Sequence, residues 1–188
     1  RDRRTQIRWG LAAFRHWFRR EAEALWLPET AASADVLDDL IEHSMRFVIL
    51  APHQAGRIRP VDGGDWTRTS EARIDTSLPY LYRHREKPQQ TLLVFFYDGR
   101  LAHQLSFGDA LKSSTRFVAR VKEADKRRGK GSLVHAAADG ETAGHHTAWG
   151  DRVLAHALTR ALGRAGFDFT SSAALVAELE PASEVELA

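Results

Sequence analysis

Two short stretches concentrate groups suited to acid/base and nucleophilic chemistry. Trp26-Leu27-Pro28-Glu29 sets an aromatic ring and a proline directly before a carboxylate, which restricts the acid and offers a surface for stacking. Asp139-Gly140-Glu141-Thr142-Ala143-Gly144-His145-His146 gathers acids, glycines and histidines in one run; its glycines permit backbone shapes that let a substrate come close. Two carboxylates on opposed strand ends are what glycosidic cleavage needs, because one protonates the leaving oxygen while the other attacks the sugar or activates water. Other polar groups that follow apolar runs are His53 and Gln54, and Asp98 in a Tyr-Asp-Gly turn whose chemistry favours a helix cap. Asp139, His145 and His146 also suggest a metal site. Adjacent histidines, however, face opposite sides of a strand and diverge by about 100° on a helix, so no metal and no cofactor is expected.

The elements that must carry these groups are legible in the apolar spacing. Ile7, Leu11, Phe14, Trp17 and Phe18 form one stripe, predicting an amphipathic helix over 5–23 with Trp9 and Trp17 in the core. The apolar stretch 24–27 reads as a strand closed by Pro28, and Ser33 as the cap of a second helix reaching about residue 43. Further strands are expected over 47–51, 91–97 and 133–138, with helices over 107–123, 148–164 and 172–179. Residues 52–90 carry Pro60, Gly63, Gly64, Pro79 and Pro88 and read as a long excursion with room for short strands or turns. Strands alternating with helices imply an α/β fold of parallel βαβ units. Four such units cannot close a barrel, leaving a small open sheet or a truncated barrel.

Composition narrows the partners. Of 188 residues, 43% are hydrophobic and 28% charged, values of a folding domain rather than a disordered tail. Lys plus Arg exceeds Asp plus Glu by only two, so no nucleic acid partner is implied, and the basic stretches 1–4 and 126–130 read as solvated. The absence of cysteine excludes disulfides and thiolate metal sites, and permits a cytoplasmic setting. The run 92–97 is far too short to span a bilayer, so no membrane partner is expected. The chain begins at Arg1, its one methionine is Met45, and no leader precedes the first helix; it reads as a piece of something longer.

Trp26-Leu27-Pro28-Glu29-Thr30-Ala31 resembles the third signature region of glycoside hydrolase family 57, which carries the nucleophile, and 139–146 resembles the fourth, which carries the acid/base. Thr5-Gln6-Ile7-Arg8-Trp9-Gly10, Ala51-Pro52-His53-Gln54-Ala55 and the stretch 93–107 are similar to the family in order and spacing. The nearest likeness is to a branch with an additional domain of unknown function. The resemblance implies the C-terminal four or so units of a (β/α)7 TIM-like barrel with parallel strands, its N-terminal part missing. It implies retaining action on α-linked glucans, with Glu29 as nucleophile and Asp139 as acid/base. Trp26, His53, Gln54, Asp98, Glu141, His145 and His146 would shape the sugar subsites. This chain has Ala24 or Leu25 where the family commonly has glycine, and Ala143 where it has an aromatic. The family's first two signature regions have no counterpart, and His53-Gln54 is not the family's N-terminal His-Gln-Pro segment. The rival readings are a silent fragment, a carbohydrate-binding module using Trp26, Trp66 and Trp149, and a metal-dependent polysaccharide deacetylase.

Overall fold

The structure is a computed structural model describing residues 2–128 and 132–188. It divides into two compact units, 1–74 with 78–96 and 172–188, and 75–77 with 97–171. Among the described residues, no helix is long and apolar enough to cross a membrane.

The first unit opens with α1 (Asp2–Phe18), whose acidic first turn and basic last turn complement the helix dipole. It stops at Arg19, which takes a left-handed backbone (φ 55°), so the helix is shorter than the stripe over 5–23 suggests. Ile7 is buried, whereas Trp9 and Trp17 are 66% and 76% exposed. This corrects their placement in the core: the buried stripe is narrower than the apolar one. Helix α2 (Ala34–Glu42) buries Leu37, Leu40 and Ile41, followed by β1 (Phe47–Leu50).

The excursion 52–90 contains three strands: β2 (Ala55–Pro60), the two-residue β3 (Thr67–Arg68) and β4 (Tyr80–Arg83). With β5 (Thr91–Phe96) and β6 (Ser183–Leu187) they complete a six-stranded sheet ordered β1-β5-β4-β6-β2-β3. β1 and β5 are parallel, with Phe47 opposite Leu93 and Leu50 opposite Phe96, and an isolated parallel bridge joins Ala24 to Phe47. β4 runs antiparallel to β5, β6 parallel to β4, and β2 antiparallel to both β6 and β3. The sheet is therefore mixed rather than all parallel. The short 84–90 connection is a hairpin turn, too brief for the helical crossover that parallel neighbours require. Its backbone is held by His84, whose Nδ1 accepts from the Glu86 and Lys87 amides. Leu92, Val94, Phe95 and Phe96 are at most 1% exposed, as befits a strand covered on both faces.

Buried charge in this unit is paired. Glu184 on β6 accepts from Arg59 on β2 (2.8 Å) and Arg83 on β4 (2.5 Å). Its own burial pushes the carboxyl upward, but the two guanidiniums outweigh that and hold it below the usual carboxylate range. On α2, Asp39 accepts from Arg3 and Arg4, and Asp38 from Tyr82 (3.0 Å) and Arg85 (2.7 Å). Burial again opposes ionisation of both acids and the hydrogen bonds overcome it, while burial and Asp38 together push the Tyr82 hydroxyl well up.

The second unit is helical: α3 (Gly99–Ser106), α4 (Ser114–Arg128), α5 (Gly150–His156), a π-helical turn (Ala157–Ala161) and α6 (Leu162–Arg164). Leu101, Leu111, Phe117, Val121, Ala124, Ala157 and Leu162 form its core. The helix expected over 107–123 starts only at Ser114: α3 has ended at Ser106, 110–112 forms a 3-10 turn, and Ser113 Oγ accepts from the Arg116 amide to start α4. α4 continues through the basic stretch to Arg128, so 126–128 are helical rather than loop; 129–131 and Arg1 lie outside the described residues. The strand expected over 133–138 is absent: 132–138 forms no strand ladder, consistent with the low β-propensity of its alanines. Helix α7 (Ser172–Glu178) belongs to the first unit.

Candidate active site

The candidate residues fall into two groups, one in each unit. In the first, the Ala24 bridge and β1 run in the same direction, so Trp26 to Glu29 and His53 with Gln54 both leave the carboxyl end of the parallel strands. Ligands of α/β sheets gather at that end. Leu27 is buried and anchors a tight turn in which the Thr30 amide donates to Leu27 O (3.0 Å) and the Ala31 amide to Pro28 O (3.0 Å). Inside it Glu29 (φ 55°) and Thr30 (φ 50°) both take left-handed backbone. For a β-branched threonine that is a genuine outlier, and such strain costs about 1–3 kcal/mol per residue and persists only where the surroundings enforce it. The result presents the Glu29 side chain to solvent while Thr30 turns inward, its Oγ1 buried without a hydrogen-bond partner. Trp26, just before the turn, is 57% exposed.

Gln54 lies beneath this turn. It ends a 3-10 turn (Pro52–Gln54) after β1; its Nε2 donates to Thr30 O (2.6 Å), and its Oε1 accepts from the Ala32 amide (2.8 Å). Both ends of the amide are thus engaged by the backbone on either side of Ala31. Neighbouring His53 is exposed. An open groove lined in part by Arg46, Thr91, Leu93, Val176 and Pro181 lies toward the amino ends of β1 and β5, and none of the candidate residues lines it.

In the second unit Asp98 is 2% exposed and caps α3, its carboxylate accepting from the Leu101 amide (2.9 Å). Its own amide donates to His135 O (2.9 Å), which ties the cap to the segment leading into Asp139. Asp139 and Glu141 are exposed around a 3-10 turn (Gly140–Thr142). The Glu141 carbonyl accepts from the His145 and His146 amides, and Thr142 O from Thr147, winding the motif into a compact loop. His145 and His146 are exposed, their rings edge to face at 4.8 Å. Gly144 (φ 136°) requires glycine, and at Gly150 a Cβ would press to 3.2 Å from Ala143 Cα. Trp149, in a left-handed conformation before α5, is 65% exposed with Arg152 over its ring. Trp66 is instead half-buried, with Arg57 and Arg59 over its ring. Among the described residues, no three His, Asp or Glu side chains are arranged to hold a metal ion.

The sequence reading missed the structural use of Gln54 and the strained Glu29-Thr30 pair. Neither has a local signal, since the partners of Gln54 are more than twenty positions away and left-handed backbone is not written in Glu or Thr.

Comparison with known proteins adds the following. The sequence model of glycosyl hydrolase family 57 matches residues 1–187. A solved structure of a 4-alpha-glucanotransferase from Thermococcus litoralis superposes with a TM-score of 0.62 at 16% identity, covering 94% of this chain. The chain spans 24% of that protein's length. The likeness establishes a shared α/β fold. No curated protein matches the sequence.

Proposed function

The chain belongs to glycosyl hydrolase family 57, and from that premise we propose that it contributes to a glycoside hydrolase or transglycosidase acting on α-linked glucans. Reaction proceeds by double displacement with retention of configuration. Glu29 is the nucleophile, attacking the anomeric carbon as the leaving oxygen takes a proton from Asp139. Water or a second sugar, deprotonated by Asp139, then releases the glycosyl group from Glu29 and restores both carboxyls. The observation that carries this reading is the strained turn at Glu29, a solvent-facing carboxylate held on an outlying backbone at the carboxyl end of the parallel strands. Strain at one acid of a family motif is what a preorganised nucleophile needs.

The parallel strands β1 and β5 are read as part of a (β/α)7 barrel whose N-terminal part supplies the remaining strands. Trp26 is a sugar-stacking platform, since it stands exposed three positions from Glu29; His53, Glu141, His145 and His146 supply polar contacts to hydroxyls. Asp98 acts through the fold of its loop as the α3 cap. The Thermococcus litoralis enzyme is named for transfer between glucans, which favours a sugar acceptor beside water.

The test is turnover of an α-glucan by the full chain and its Glu29→Gln and Asp139→Asn variants. Each substitution is expected to lower kcat by at least about 10³-fold while the unfolding midpoint stays unchanged. Wild-type rates in either variant end the assignment. A second reading, a carbohydrate-binding module, draws on the exposure of Trp26 and Trp149; glucan affinity that survives loss of both carboxyls but not of the two rings favours it.

A further inference from the structure

The least explained feature of the candidate site is how two consecutive non-glycine residues are kept in left-handed backbone. The Leu27–Thr30 and Pro28–Ala31 bonds close the turn, but turns of that span form readily without a left-handed pair. What distinguishes this one is the Gln54 amide, which receives the Ala32 N–H on one atom and donates to the Thr30 carbonyl from the other. The two bonds define the peptide planes on both sides of Ala31, and so the direction in which the chain leaves Glu29.

Gln54 is itself fixed at three points. Its amide donates to Ala51 O (3.0 Å), its carbonyl accepts from the Ala188 amide (2.9 Å), and β2 begins at the next residue. At Gly56, where the β2–β6 register shifts, a Cβ would come within 2.8 Å of the Leu187 and Ala188 backbone, so a side chain there would press on the end of β6. The Gln54 side chain therefore reaches the Glu29 turn from a rigid base.

We propose that Gln54 is a positioning residue for the nucleophile: it holds the Glu29-Thr30 turn in the shape that aims the Glu29 carboxylate, and takes no part in sugar binding. This rests on the reading of Glu29 as nucleophile. Both polar atoms of the Gln54 side chain are already engaged with backbone, which argues against the sugar contact that the family resemblance implies for it. The requirement is for this side chain in particular. Asparagine is one methylene too short to meet both partners, glutamate offers no donor to Thr30 O when ionised, and leucine offers neither group.

The experiment compares wild type, Gln54→Leu, Gln54→Glu, Glu29→Gln and, as a stability control in the core at the amino end of β5, Leu92→Val, all in the full chain. Two readouts are taken: kcat and KM on an α-glucan, and amide hydrogen exchange at Ala32. Gln54→Leu is expected to lower kcat by about 10²-fold, the effect of a misplacement of about 1 Å, with KM nearly unchanged and Ala32 exchange accelerated while β5 amides stay protected. Gln54→Glu keeps the acceptor for Ala32, so it should retain Ala32 protection and still lose turnover. If Glu29→Gln is inactive but Gln54→Leu turns over like wild type, the positioning role is overturned and the nucleophile stands. If Glu29→Gln is fully active, the nucleophile reading falls and the proposal with it. A rise in KM at constant kcat means that Gln54 binds sugar, and kcat losses that merely follow stability, as in Leu92→Val, mean that its role is structural only; either result overturns the proposal.

Discussion

Replacing Glu184 by glutamine removes the carboxylate that Arg59 and Arg83 share. Glu184 is 4% exposed, and the arginine side chains are about a third exposed at 32% and 35%. Removing one partner of a fully buried ion pair costs about 3–5 kcal/mol, mostly from stranding the other charge. Here the guanidiniums can turn toward water and glutamine keeps one acceptor, so about 2 kcal/mol is expected. For a chain of this length that is a drop of roughly 4–8 °C in Tm. The pH dependence supplies the sharper check. The folded carboxyl lies below its unfolded value because the two arginines outweigh the upward push of burial, so the stabilisation is complete above the unfolded value near about 4.3 and is lost as pH falls through the lower folded value. Urea unfolding followed by tryptophan fluorescence reports on the right region, since every tryptophan except Trp149 lies in the first unit. The gap between wild type and Glu184→Gln should be widest near neutral pH and should narrow steadily in acid. A gap of constant size, or none at neutral pH, refutes the account of Glu184 as an ionised, paired group.

Gly56→Ala should destabilise the first unit by about 2 kcal/mol or more, because the added methyl meets backbone that cannot swing aside; the unfolding midpoint measures it, and an unchanged midpoint contradicts the close β2–β6 approach. Thr30→Val should raise stability by about 1 kcal/mol, because the buried Oγ1 has no hydrogen-bond partner and the replacement keeps the side-chain shape. A loss of stability in that variant shows that the hydroxyl is satisfied after all.

Legibility followed the range of the interactions. Helix α2 and strands β1 and β5 fall within a residue or two of their expected bounds, because each combines a capping or breaking residue with a local apolar pattern. β2, β4 and β6 carry arginines and glutamates on positions that the sheet covers or pairs. Arg59 and Glu184 are 125 positions apart, so no local window reveals that each makes the other tolerable inside a sheet. Without its partner, Ser-Glu-Val-Glu-Leu offers no apolar run to mark a strand, although Val185 is 1% exposed. The error at 133–138 ran the other way: the run is apolar enough for a strand, yet small side chains give a ladder little to pack against. At Trp9 and Trp17 hydrophobicity suggested burial, but α1 covers only the Ile7 side of its stripe.

The same distinction separates the two halves of the candidate site problem. That Glu29 and Asp139 are the acids to consider can be read from short motifs, because residue identity in a few adjacent positions is local information. The orientation of Glu29 cannot, since neither Glu nor Thr prefers a left-handed backbone and the local chain gains nothing from adopting one. The conformation must be imposed from elsewhere, and the contacts that impose it run from Gln54 through the Ala188–Gln54 hydrogen bond to β6. The strand bearing Glu184 thereby becomes part of what aims Glu29. Loosening β6 should disturb the Glu29 turn before it disturbs α2 or β5, which keep their own burial. Ala32 exchange in Glu184→Gln should then rise more than exchange in β5, and equal rises at both places would mean that the sheet transmits nothing specific to the turn.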